Sequence, residues 1–294
     1  MSGWGTGRVG RVLVALGGLA VAACVVLVVW THLGQRADER SRWSVAVPWR
    51  TSRILEEWLG LVSVEFIAVV LVIAVLLALA RRRTSRGLAA IVLVAGANVA
   101  TQILKAGLPR PDHGIGSENT LPSGHVTVVT SLVLAALFVV PARWRRVVAL
   151  LAAGAGTLTG AAVLLQRWHR PSDVIAAYGV CAVFAGLGLL LADRTSRRVD
   201  AAWTGPIRVE SPTGSVLRRH ALPAFAGALL AGVFLLLGGM VTHGETSNVV
   251  VGAVVLGAMG VVCATLVALV SAGLDALPAP PAVSEKNRAR PPLG

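Results

Sequence analysis

Eight apolar runs divide the chain, at about residues 12–31, 58–80, 87–104, 125–141, 147–166, 173–192, 221–241 and 248–271. Each comes close to the ~20 residues that a helix needs to cross a bilayer. Backbone N–H and C=O groups find no partner in lipid, so such runs must close their hydrogen bonds internally. The pattern predicts an all-α integral membrane protein of about eight spans. The segments between the runs are too short to hold a soluble domain of useful size.

Three polar islands interrupt the pattern at run ends. The first is Lys105-Ala-Gly-Leu-Pro-Arg110-Pro111, the second Leu121-Pro122-Ser123-Gly124-His125, and the third Arg167-Trp-His169-Arg170-Pro171-Ser172-Asp173. Cations, histidines and a carboxylate at hydrophobic boundaries are costly to place, and in membrane proteins they mark function by default. Counting Lys and Arg loop by loop gives 18 on one side and 9 on the other. The positive-inside rule then puts both termini in the cytoplasm and all three islands on the extracytoplasmic face.

Composition agrees with this picture. Of 294 residues 55% are apolar and only 14% charged, against roughly 25% charged in a soluble domain. Mean hydropathy is +0.74. The net charge of +13 does not indicate nucleic acid, because the arginines fall between apolar runs and form no single stripe. The abundance of Arg, Ala, Val and Gly points to a bacterial cytoplasmic membrane. Cys24, Cys181 and Cys263 lie singly inside apolar runs and read as packing residues. Val21-Ala-Ala-Cys24 has the form of a lipoprotein cleavage box, but the run continues to Trp30, so an uncleaved first span is expected.

Secondary features fill in the scaffold. In 32–57 and just after it, Trp43, Trp49 and Trp58 are interleaved with Arg40, Arg42, Arg50 and Arg53. Two readings stand: a helix lying in the headgroup region, or an aromatic belt with snorkelling arginines. In the third run, Asn98, Thr101, Gln102 and Lys105 share one helical face, expected to look inward and support Lys105. Glu65 is a lone intramembrane carboxylate that could pair with an island arginine, and is read rather as a structural hydrogen-bond partner. The small residues of the last two runs suggest close packing or dimerisation. The tail from 272 is rich in proline and expected to be disordered.

The island residues can act together. Lys105 and Arg110 are fixed cations suited to phosphate oxygens. Ser123 and Gly124 stand at a helix start, where backbone N–H groups offer an anion site. Asp173, four residues after His169, can accept from one imidazole nitrogen and leave the other free as a nucleophile. That set suggests phosphoryl transfer, with His169 attacking phosphorus and His125 protonating the departing oxygen. No ligand cluster for a metal is visible, and no cofactor is expected.

These islands resemble the type 2 phosphatidic acid phosphatase superfamily, the lipid phosphate phosphatases. Its pattern is a Lys with a downstream Arg-Pro, then Pro-Ser-Gly-His, then an Arg ahead of a His with Asp four residues later. Pro122-Ser-Gly-His125 and His169-x-x-x-Asp173 match it outright. Two positions depart: four residues separate Lys105 from Arg110 where the family has six, and Val163 stands where the third-motif Arg is usual. Arg167 is the available substitute, either a phosphate ligand or an interfacial arginine.

The resemblance covers about residues 58–192 and, with the first span added, implies a six-helix catalytic core within 1–192; the sequence pattern adds a basic loop at 193–220, two further spans within 221–271 and the tail 272–294. It implies hydrolysis of a lipid phosphate, either a polyprenyl phosphate or diphosphate or a phosphatidic-acid-like lipid. The residues expected to act are His169, His125 and Asp173, with Lys105, Arg110, Ser123, Gly124 and Arg167 on the phosphate. A phosphotransferase using the same site is an alternative, as is a non-catalytic lipid-binding or transport protein. The partners expected are the lipid substrate and the bilayer, with no nucleic acid; oligomeric state stays open.

Overall fold

The apolar runs become helices, and their order along the chain decides which of their ends meet. The computed structural model describes residues 5–60, 72, 84–201, 213–237 and 246–277. Among the described residues there are nine α-helices and no strand. Helix α1 (Thr6–Ala23) continues as a π-helical turn, Cys24–Val29. Then come α2 (His32–Trp43), α3 (Trp49–Gly60), α4 (Thr84–Gly107) and α5 (Gly124–Val139). The remainder are α6 (Arg145–Leu165), α7 (Pro171–Ala201), α8 (Thr213–Leu237) and α9 (Thr246–Asp275).

Seven of the eight predicted runs thus appear as helices. Among the described residues, six helical stretches are long and apolar enough to cross a membrane: Thr6–Val29, Ser85–Gly107, Ala142–Leu165, Pro171–Thr195, Arg218–Leu237 and Val250–Asp275. Helix α5 is shorter, at 16 residues, or about 24 Å of rise. It falls short of a hydrocarbon core of about 30 Å, yet nearly all of it from Val126 onward is buried. Most of the predicted span 58–80, with Glu65, lies outside the described residues, as do 202–212 of the basic loop and the tail from 278.

Helix α7 is the centre of the packing, with α1, α4, α5 and α9 all against it. The α1–α7 seam is built on glycine. A Cβ on Gly17 would stand 2.5 Å from the Gly179 carbonyl oxygen, too close for any side chain. Helix α8 lies on α6 and α9, and a Cβ on Gly227 would collide with the Leu150 carbonyl. Small residues in the last two runs therefore serve packing inside this chain. The outward faces carry exposed Leu19, Leu27, Ile103, Leu229 and Leu237, the surface that acyl chains would solvate. All three cysteines are buried and free.

The segment 32–57 forms two helices, and α2 folds back over the bundle end that carries the islands. Its contacts explain why. Gln35 Nε2 donates to the carbonyls of Val29 (2.7 Å) and Pro111 (2.8 Å), and the Trp30 indole N–H donates to the Pro109 carbonyl at 3.1 Å. Buried polar groups had to find partners, and the loop after α4 supplied them.

Candidate active site

The three islands meet at one end of the bundle, where α4 stops and α5 and α7 begin. Lys105 stands in the last turn of α4. Asn119 donates to the Lys105 carbonyl at 3.2 Å and accepts from the Leu121 N–H at 3.2 Å, tying the first island to the second. The Ser123 N–H donates to the Asp173 carbonyl at 3.0 Å, tying the second to the third.

The start of α7 explains how Asp173 is held. The Val174 N–H reaches the Arg170 carbonyl, so Arg170 is the N-cap, and Pro171 takes the first helical position it suits. Asp173 Oδ2 reaches back to the Arg170 N–H at 2.9 Å, one half of a capping box. The same oxygen accepts from Thr120 Oγ at 2.7 Å and faces His169 Nδ1 at 3.1 Å. Asp173 is fully buried and His169 nearly so. The loop before it ends α6 with the Trp168 and His169 N–H groups both on the Val163 carbonyl. With Nδ1 engaged by the carboxylate, the imidazole is fixed in orientation and its Nε2 lone pair is the one left for chemistry.

Helix α5 starts at Gly124 with Ser123 as its N-cap, and no side chain caps it. The first-turn N–H groups of such a helix have no intrahelical partner. A Cβ on Gly124 would meet nothing within 4 Å, so there is room for a ligand against the backbone. His125 is half-buried, with its ring 5.4 Å from that of Trp168.

Arg110 is the least ordinary member. It is 5% exposed, and Nε, Nη1 and Nη2 all lack a hydrogen-bond partner among the described residues. Burial, with the Arg170 charge added, lowers its pKa. Ser123 Oγ and Asp173 Oδ1 are likewise buried without partners. A buried, unpaired guanidinium is strongly disfavoured unless an anion joins it.

The other two arginines are engaged. Arg167 has φ of +58°, uncommon outside glycine, and its guanidinium lies 3.8 Å above the Trp43 ring. Arg42 donates to the Arg167 carbonyl. Arg170 donates from Nε to Glu39 Oε2 at 2.8 Å and from Nη1 to Thr120 at 3.2 Å.

The face read from the sequence as supporting Lys105 divides. Thr101 is buried and shares a 3.0 Å hydrogen bond with Thr127, and Asn98 reaches Ser131 at 3.2 Å. Gln102 is exposed. The buried stripe of α4 runs through Ala90, Val94, Ala97 and Thr101, and the next residue is turned about 100° from it. Sequence reasoning also missed Asn119, Thr120, Asp38 and Glu39. The first two adjoin Leu121-Pro-Ser-Gly-His125, a proximity that could have singled them out.

Residues 86–197 match the model of the PAP2 superfamily. The resemblance carried by the three islands is thereby shown for that stretch, which contains all of them. No curated protein and no solved structure matches the chain. The match suggests phosphatase-type chemistry on phosphate esters, within a helical bundle that has several helices able to cross a membrane. Helix α2 and its acidic residues fall outside the match.

Proposed function

We propose that this protein hydrolyses a lipid phosphate or diphosphate at the extracytoplasmic face of the cytoplasmic membrane, through a phosphohistidine on His169. The observation that carries the reading is Arg110, whose buried guanidinium has no acceptor among the described residues beside the His169–Asp173 pair. A phosphoryl group would supply the missing anion. Lys105, Arg110 and the first-turn N–H groups at Ser123 and Gly124 would hold its oxygens. Stacking on Trp43 occupies the face of the Arg167 guanidinium and leaves its edge N–H groups for an anion, so Arg167 belongs to the same set.

In the first step His169 Nε2 forms a bond to phosphorus while the bond to the leaving oxygen breaks. His125 gives that oxygen its proton. Asp173, accepting at Nδ1, stabilises the positive charge that develops on the ring. In the second step His125 takes a proton from water as the water oxygen bonds to phosphorus, and the P–N bond breaks to free phosphate and His169. The bundle supports a lipid substrate, since the islands lie at the ends of apolar helices.

Purified full-length protein in detergent, given phosphatidic acid and a polyprenyl diphosphate, should release inorganic phosphate from at least one. His125→Ala should remove that release, and retained turnover would sink the mechanism. Arg167→Ala should raise KM several-fold; unchanged kinetics would take it out of the phosphate site.

A further inference from the structure

Asp38 lies on α2, outside the PAP2 stretch, and it is buried. Its Oδ1 accepts from the Ser172 N–H at 3.0 Å and its Oδ2 from the Ser172 hydroxyl at 2.5 Å. Ser172 is the second residue of α7, immediately before Asp173. The opening turn of a helix presents N–H groups that need acceptors, and the N-cap side chain normally supplies one. Here the N-cap is Arg170, which has no acceptor to offer. Its own side chain turns away to Glu39, the neighbour of Asp38 on α2.

We propose that Asp38 is a positioning residue for the phosphoryl transfer: a cap supplied by α2 that fixes the first turn of α7, and through it the angle at which Asp173 holds His169. The inference rests on the phosphatase reading above. The route is short. Asp38 holds Ser172, Ser172 is bonded to Asp173, and Asp173 Oδ2 must stay in reach of both the Arg170 N–H and His169 Nδ1. Its negative charge at a helix N-terminus also suits the helix dipole. Glu39 holds the other flank of Pro171 through Arg170, so α2 grips the turn on both sides of the proline.

The test is steady-state phosphate release from a short-chain phosphatidic acid in detergent micelles, with the full chain throughout. Displacing a reacting group by about 1 Å can cost on the order of 100-fold. Asp38→Ala should therefore lower kcat about 10- to 100-fold with KM within about twofold, because Asp38 does not touch the substrate. Asp38→Asn keeps an acceptor for the Ser172 N–H and should recover most of that loss. In an Asp173→Asn background, which already lacks the carboxylate, adding Asp38→Ala should change the rate by less than about twofold. A merely structural residue would instead multiply its effect onto the second variant. Should Asp38→Ala not fold, Ser172→Ala carries the same comparison, with about a threefold to tenfold loss of kcat. Active wild type with unaffected Asp38 variants, or with multiplying losses, overturns this inference alone. A wild type that releases no phosphate overturns the phosphatase reading first and this inference with it.

Discussion

Two histidine–aspartate pairs sit at opposite ends of this bundle. At one end His169 Nδ1 faces Asp173 at 3.1 Å; at the other, His220 Nε2 faces Asp275 at 2.6 Å. Both histidines are buried, and both carboxylates belong to helix ends. The difference lies in the neighbouring arginine. Asp275 is also paired with buried Arg145, and through the two contacts it joins α6, α8 and α9. Arg110, near Asp173, has no acceptor at any of its three nitrogens among the described residues. One cluster gives its arginine a carboxylate and ties helices together; the other leaves its arginine short of an anion. A histidine backed by a carboxylate is therefore no indication of chemistry alone. The unpaired cation beside it is.

The comparison breaks most sharply at the histidines. His169→Ala should lower phosphate release by about 10⁴-fold or more, the scale seen when a nucleophile is removed. His220→Ala should keep kcat within about threefold and lower stability by ~2 kcal/mol through the lost charged hydrogen bond. Equal losses of activity in both would mean that the ends do not differ in kind.

The arginines come next. Arg110→Ala should lower kcat/KM by about 10²- to 10³-fold, the effect of losing one transition-state donor, with the melting temperature held or raised. Arg145→Ala leaves Asp275 without its cation and should destabilise by roughly 3 kcal/mol, with per-molecule turnover intact. Orthovanadate gives a subtler reading of the same contrast. At about 100 times its Kd a ligand adds roughly 2.7 kcal/mol to stability, so vanadate should raise the melting temperature of wild type and of Arg145→Ala. It should not raise that of Arg110→Ala.

Much of one end was legible in the sequence. His125, His169, Asp173, Lys105 and Arg110 stand at run ends in short motifs, and local spacing was enough to single them out. The opposite end was not legible. Runs predicted at 221–241 and 248–271 stop just short of His220 and Asp275, because an apolar window ends at the first polar residue whereas a helix does not. Arg145 read as a topology signal, and its partner lies far along the chain. Helix α2 hid for a related reason. Its mixture of acidic and basic residues looks like a solvated or interfacial face, and only folding brings Asp38 to Ser172, 134 residues away.

The smallest expected effect concerns pH at the island end. Burial pushes the Asp38 carboxyl up to about 6, with the Asp173 charge adding to the rise and the Ser172 hydrogen bonds and Arg170 opposing it. Arg110 and the thiol of Cys24 are the other titratable groups that feel Asp38. A folded-state pKa above the unfolded value of 3.8 means the folded chain holds the proton more tightly. Stability from this group is thus greatest below 3.8, declines as pH rises toward about 6, and is level above it. Asp38→Asn cannot titrate. The melting temperature of wild type minus that of Asp38→Asn should therefore fall between pH 4 and pH 6.5, by roughly 3 °C or more. A difference that stays flat with pH would mean that the α2 carboxylate carries no burial penalty, and that its partners at Ser172 and Arg170 compensate it in full.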